Sequence, residues 1–362
     1  MDTFRVHQLR VHCEAQTPIR LNEHKGSAIR GALFYALRGT GYPNAAWSGF
    51  CANKAAPNCF VCPVNAVCPV MRLVSTLDEE GTHGHQAPRP YIINPPLDGA
   101  QTVYAPGERF AFDLLLAGDA AELFPYVVLA LDRLAHEGLG GRVWEDASDQ
   151  DLTGHSRPAR SPAIPRRGTA RVTRIDAVHP LTGESGAVLR PNSRTVHVPA
   201  LPISHADVLA AAERLPAAGD LTLHFITPLR LVEREQLVRT PYFRPLLHRL
   251  VERIKSLAEN FGGGPVPYQI RELRDLADGV GLVEDHTHWL DLRGYSTRLG
   301  REQMIGGLVG RATYRAADWT PFRPWLVWGT ILHAGKNAVK GDGWFGIEAG
   351  AVRVGLPGFV TG

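Results

Sequence analysis

One change of hydrophobic period, occurring in the same order twice, constrains this chain more than any other feature. Thr3 to His12 alternates apolar and polar residues as a half-buried strand does. From Ser27, the apolar Ala28, Ile29, Ala32, Leu33, Ala36 and Leu37 recur at helical spacing until Gly39, Gly41 and Pro43 stop them. Alternation returns from Gly107 to Leu116, and a helical pattern follows from Asp119 to His136, ended by Gly138-Leu139-Gly140-Gly141. After a polar, Pro- and Arg-rich stretch from Gly154 to Arg167 comes a strand-like Ala170 to Val178, with one strand of the series hidden in unreadable sequence.

A short helical segment and a Pro/Ala/Gly connector between Pro202 and Asp220 separate the halves. The second half reads as a strand (Leu221 to Ile226), a helix from about Pro241 to Glu259 stopped by Gly262-Gly263-Gly264, and two strands (Trp289 to Gly294, Leu308 to Tyr314). A helix from Pro321 to His333 and a closing strand from Ile347 to Val354 complete it. Strand, helix, strand, strand, helix, strand is the split β-α-β pattern. The expected fold is therefore α+β, two tandem ferredoxin-like (RRM-like) domains spanning 1–215 and 216–362, with a Cys-rich insertion at about 43–96 in the first.

A length of 362 residues allows about two such domains. No apolar run approaches the roughly 20 residues that span a bilayer, and polar residues interrupt Met1 to Val11, so the expectation is a soluble, cytoplasmic protein with no membrane partner. A formal net charge of +3 leaves the partner open.

Four of the five cysteines, Cys51, Cys59, Cys62 and Cys68, fall in a C-x7-C-x2-C-x5-C series within the insertion. Only Cys59 and Cys62 have knuckle spacing, but four thiolates satisfy a tetrahedral zinc site, and a structural zinc would hold a segment with little apolar material. An iron–sulfur cluster is the less favoured alternative, and free cysteines packed as small hydrophobes the metal-free one. Cys13, on the first strand, reads as a core residue. A second distinctive segment, Leu332 to Gly346, follows a helix and precedes a strand, the reverse of the order in a phosphate-binding nucleotide loop. Its glycines would let a sugar-phosphate chain approach, with Lys336 and Lys340 supplying charge; the other reading is a helix cap followed by a tight turn.

Several pieces in order carry a resemblance: Gly26-Ser27-Ala28-Ile29-Arg30-Gly31-Ala32, the Cys-Pro pairs, Gly138-Leu139-Gly140, and Phe225-Ile226-Thr227-Pro228-Leu229-Arg230-Leu231. Tyr295-Ser296-Thr297-Arg298-Leu299-Gly300-Arg301, Ile305-Gly306-Gly307-Leu308-Val309-Gly310 and the terminal Gly-rich segment extend it. With these, the chain resembles the CRISPR repeat-RNA processing endoribonucleases of the RAMP superfamily. The resemblance implies repeat-RNA binding, stem-loop or single strand, by tandem ferredoxin-like RAMP domains, and a cut without a catalytic metal, so that any zinc is structural. It also implies other CRISPR interference-complex subunits as partners. A non-catalytic RAMP subunit that binds CRISPR RNA is the second reading.

The reaction needs a base for the ribose 2′-hydroxyl, an acid for the leaving 5′-oxygen and a cation beside the phosphorane. Among fifteen histidines, His24 leads, because it precedes the first helix beside Lys25, Gly26 and Arg30; its plain reading is an exposed turn residue. Tyr35, about three helical turns on, would orient the 2′-hydroxyl or sit in the core. His333, at the end of the last helix, would touch the phosphate or cap the helix. RNA contacts are expected from Lys25, Arg30, Arg298, Arg301, Lys336, Asn337 and Lys340. His83 and His85, in the insertion, bind metal or nothing.

Overall fold

The computed structural model describes residues 1–39, 49–56, 59, 61–75, 88–143, 166–262, 264–266, 270–296 and 301–358. Its first sheet is built on β1 (Arg5–Ala15), followed by α1 (Lys25–Arg38), β2 (Tyr91–Asn94), β3 (Arg109–Ala117), α2 (Phe124–Asp132), β4 (Ala170–Val178) and β5 (Ser185–Leu189). The strands lie in the order β2-β3-β1-β4-β5, all neighbours antiparallel. Without the extra edge strand β5, that is the ferredoxin-like order. The strand hidden from the sequence reading is β2, inside the segment expected to be an insertion. Its four residues are all buried, so it shows no alternation to detect.

After α3 (His205–Glu213), the second sheet repeats the plan: β6 (Gly219–Leu229), α4 (Phe243–Phe261), β7 (Gly281–Leu290), β8 (Gly307–Ala316), α5 (Arg323–Leu332), β9 (Phe345–Ala349) and β10 (Val352–Val354), in the order β7-β8-β6-β9-β10. The expected closing strand is thus a hairpin, β9 with β10. A further hairpin, Arg293–Ser296 with Arg301–Met304, joins β7 to β8.

The period of two along β1 decides how the halves meet. Leu9, Val11, Cys13 and Ala15 face α1 and α2 and form one core with Ile29, Leu33, Leu37, Val127 and Leu131. The alternate residues face away from those helices and divide in two. At one end Phe4, Val6, Ile92, Leu115 and Ile203 are buried in the core of the second half, with α3 packed on α5. Burying each such side chain is worth about 1.5–3 kcal/mol, which ties the two sheets together. Past that end, the same face carries Gln8, Arg10, His12 and Glu14. Each half therefore has its own sheet, while the larger core runs through both.

Candidate nucleic-acid interface

The N-terminus of α1 meets the Gly-rich segment without any intervening side chain at Gly26. A Cβ there would lie 1.8 Å from the Lys340 carbonyl oxygen. From the same turn, Gly341, at φ 92°, faces β2, and its Cβ would lie 2.4 Å from the Ile93 carbonyl oxygen. Thr227 locks the turn from the second half, its hydroxyl donating to the Gly341 carbonyl at 2.6 Å and accepting the Trp344 N–H at 2.9 Å. The glycines of this segment therefore admit protein backbone rather than a sugar-phosphate chain.

His24 sits at the centre of this joint, 5% exposed, and is not the exposed turn residue of the plain reading. Its Nδ1 accepts the Ser27 N–H at 3.2 Å and so caps α1. With Nδ1 accepting, Nε2 carries the proton and donates to Asp342 Oδ1 at 2.6 Å. Both ring nitrogens are thus engaged, and neither faces a substrate. Burial pushes the Asp342 carboxyl up, against the opposing pull of His24 and Lys340.

His333 departs from the expected phosphate contact. It is fully buried, at φ 63°, stacked on Trp344 with ring centroids 5.8 Å apart. Burial, aided by Arg253, pulls its imidazole down to about 3, so it is neutral and enclosed at working pH. Lys25 is also corrected: it is buried and ion-paired with Asp98, donating as well to the Gly99 carbonyl at 3.0 Å. That leaves its ammonium no access to a phosphate.

Other expected residues stand at the rim of the joint. Arg30 and Lys340 are half-buried and close enough that Arg30, with Arg89, helps burial to lower the Lys340 ammonium below its ordinary value. Tyr35, further along α1, is half-buried with the Arg167 guanidinium 5.1 Å from its ring centroid. Asn337 takes a left-handed turn position at φ 61° and its side chain helps to hold the Asp342 carboxyl down. Lys336 is exposed, its backbone N–H held by the Arg230 carbonyl at 2.9 Å. Arg298, His83 and His85 lie outside the described residues, as does the side chain of Arg301.

The four clustered cysteines are each half-buried and form no disulfide. Among the described residues no three His, Cys, Asp or Glu side chains come together as a metal site. Cys13 is buried in the first core, as expected. Among the described residues no helix is long and apolar enough to cross a membrane.

Arginines remote in sequence, which no motif singled out, gather on the helix-free face of the first sheet. Arg10 holds Asp113 at 2.8 Å, while His12 and Arg174 hold Asp176 at 3.2 and 2.7 Å. The signal available in the sequence was the period of two in β1, which puts Arg10 and His12 on one face.

Residues 4–201 match the sequence family of the AF_1859 N-terminal domain, and residues 223–345 match that of the CRISPR-associated endoribonuclease Cas6. No curated protein matches the chain in sequence. Among solved structures, a partial Cas6-RT-Cas1–Cas2 complex aligns with a TM-score of 0.55 at 10% identity, covering 98% of this chain and 48% of that one. A fuller complex of the same description aligns with the same TM-score and identity over 98% of this chain and 30% of the other. This chain thus spans less than half the length of either. A Cas6 of Thermus thermophilus in a product complex aligns at 0.50 and 14% identity over 94% and 98% of the two chains. At such identities the alignments speak for the fold. Over residues 4–201 the chain belongs to the family of the AF_1859 N-terminal domain, and residues 223–345 are similar to the CRISPR-associated endoribonuclease Cas6.

Proposed function

We propose that this chain processes CRISPR RNA by cutting the precursor within its repeats, through attack of a ribose 2′-hydroxyl on the adjacent phosphorus. The products are a 2′,3′-cyclic phosphate and a 5′-hydroxyl end, no metal takes part, and the protein retains the repeat-derived end. The observation that carries this reading is a Cas6 domain whose Gly-rich segment is joined to α1 at a rim of cations. Arg30 and Lys340 steady the phosphorane, where preorganised positive charge is worth most. Tyr35, half-buried beside Arg167, orients the attacking hydroxyl. His24 acts through position, because its two nitrogens hold the joint closed. A division at about 215/216 into two domains, a cytoplasmic location and assembly with other CRISPR proteins, of the kind the aligned complexes contain, belong to the same proposal.

One observation favours the second reading, a subunit that grips CRISPR RNA without cutting: both ring nitrogens of His24 are bonded and His333 is fully buried, so neither imidazole faces a scissile phosphate. The test is incubation of the purified protein with a repeat-containing RNA in EDTA. A single cut leaving a cyclic phosphate is expected. Intact RNA under conditions of tight binding would overturn cleavage in favour of the gripping subunit, and a cut that needs added divalent cation would overturn the metal-free mechanism.

A further inference from the structure

The helix-free face of the first sheet opens, beyond Arg10, into a groove of about 1100 Å³ that the proposed cutting site does not use. Its cations come from three separate places. Arg109 starts β3, Arg171 and Arg174 lie on β4, and Arg190 and Arg194 flank the turn after β5. That turn is held in shape by Asn192 at φ 59°, by the Ser193 N–H on the Arg190 carbonyl at 3.1 Å, and by the Leu189–Val196 bridge across it. Two carboxylates line the groove, Glu14 and Asp132. Glu14 is shared between Arg171 at 3.2 Å and Arg109 at 3.7 Å, so it orients two guanidiniums more than it cancels either. Arg190 and Arg194 are exposed and take part in no ion pair among the described residues.

Arg174 is also held by Asp176, so five arginines stand against three carboxylates, and the groove keeps a net positive charge that draws anions. Arg109 and Arg171 stand on the two strands either side of β1, about 10 Å apart, a span for one chain of phosphates. Of the two aromatic rings in the lining, Phe110 is only 6% exposed and packs into the core beneath, and the His12 imidazole is held by Asp176, so the surface offers mainly guanidiniums for a backbone. Through His12, Ala111 and Arg174 the groove is continuous with a second hollow that reaches Trp344 at the end of the Gly-rich segment. A bound strand thus has a path toward the joint.

We propose that this groove binds the sugar-phosphate backbone of single-stranded RNA, holding a segment away from the cut without reading its sequence. The inference rests on the RNA-processing reading and adds a second contact to it. The test is the double variant Arg190→Ala/Arg194→Ala, with a 20-nucleotide oligouridine as probe and binding measured over a salt series. Both side chains are exposed, so the melting temperature should match that of the unchanged protein. About tenfold weaker binding near physiological salt is expected, with the slope of log affinity against log salt reduced by about 1.4, two phosphates at roughly 0.7 each. Cleavage of a saturating repeat RNA should keep its single-turnover rate. Unchanged affinity and slope would overturn the groove, whether or not the protein cuts. Weakened binding in a protein that never cuts would overturn the cleavage reading and sustain the groove, and a protein that binds no RNA would overturn both.

Discussion

The Gly-rich segment and the turn between Arg190 and Arg194 invite the same reading, since each sets cations beside residues that take left-handed turns, yet they face opposite ways. In the first, Gly26 and Gly341 stand where any Cβ would strike backbone of the facing half, and His24, Asp342 and His333 are closed in around them. In the second, Arg190, Asn192 and Arg194 are all exposed over a groove. A glycine whose missing Cβ leaves room for facing backbone marks a packing joint, whereas unpaired charge at the tip of a braced turn marks a surface for a ligand. On the proposed function, cations at the rim of the joint, not the glycines within it, are what RNA meets.

The comparison breaks most readily at the joint itself. Gly341→Ala puts a methyl group against the Ile93 carbonyl at a positive φ, and urea unfolding should register a loss of about 3 kcal/mol or more. A change within about 0.5 kcal/mol, the range of ordinary surface substitutions, would mean that the segment is not packed as described. His24→Ala should cost about 2–3 kcal/mol, by uncapping α1 and leaving Asp342 buried without its partner. Its single-turnover cleavage, measured where the variant is folded, should fall only severalfold; a drop on the order of 10²-fold would make His24 a proton-transfer residue after all.

Much of the fold was open to reading from the sequence. β1, α1, α2 and β4 were found by period because each has a buried and a less buried face, and β3 through its alternating start, although its second half is buried on both. β2 was missed because it is buried on both faces, and the first part of β7 because it is exposed on both, so neither alternates. The site was harder to read. His24 and Asp342 lie 318 residues apart in the chain, and nothing local announces their bond. His333 reads as the end of the last helix and does cap it, its N–H on the Gly329 carbonyl at 2.9 Å, but nothing local shows that its ring is sealed against Trp344. The arginines of the groove are scattered from Arg109 to Arg194 and form no run.

Acid titration sharpens the same contrast. His333 is pulled down to about 3 when folded, against 6.5 for a free imidazole. Below pH 6.5 the unfolded chain takes up a proton that the folded chain refuses. Stability should therefore fall as pH drops from 6.5 towards 3, by about 1.4 kcal/mol per unit for this one group. His333→Asn, which tolerates the positive φ, should flatten that slope in equilibrium unfolding at several pH values. An equal slope in the variant would mean that the imidazole is not enclosed.

The claim at the centre of this account is that Arg30 and Lys340, at the rim of the joint, serve the charged transition state while the joint beneath them serves the fold. The most direct measurement is the single-turnover cleavage rate of Arg30→Ala/Lys340→Ala at saturating RNA, taken with its melting temperature. The account predicts a rate lower by on the order of 10²-fold at a nearly unchanged melting temperature. A rate equal to that of the unchanged protein would contradict it.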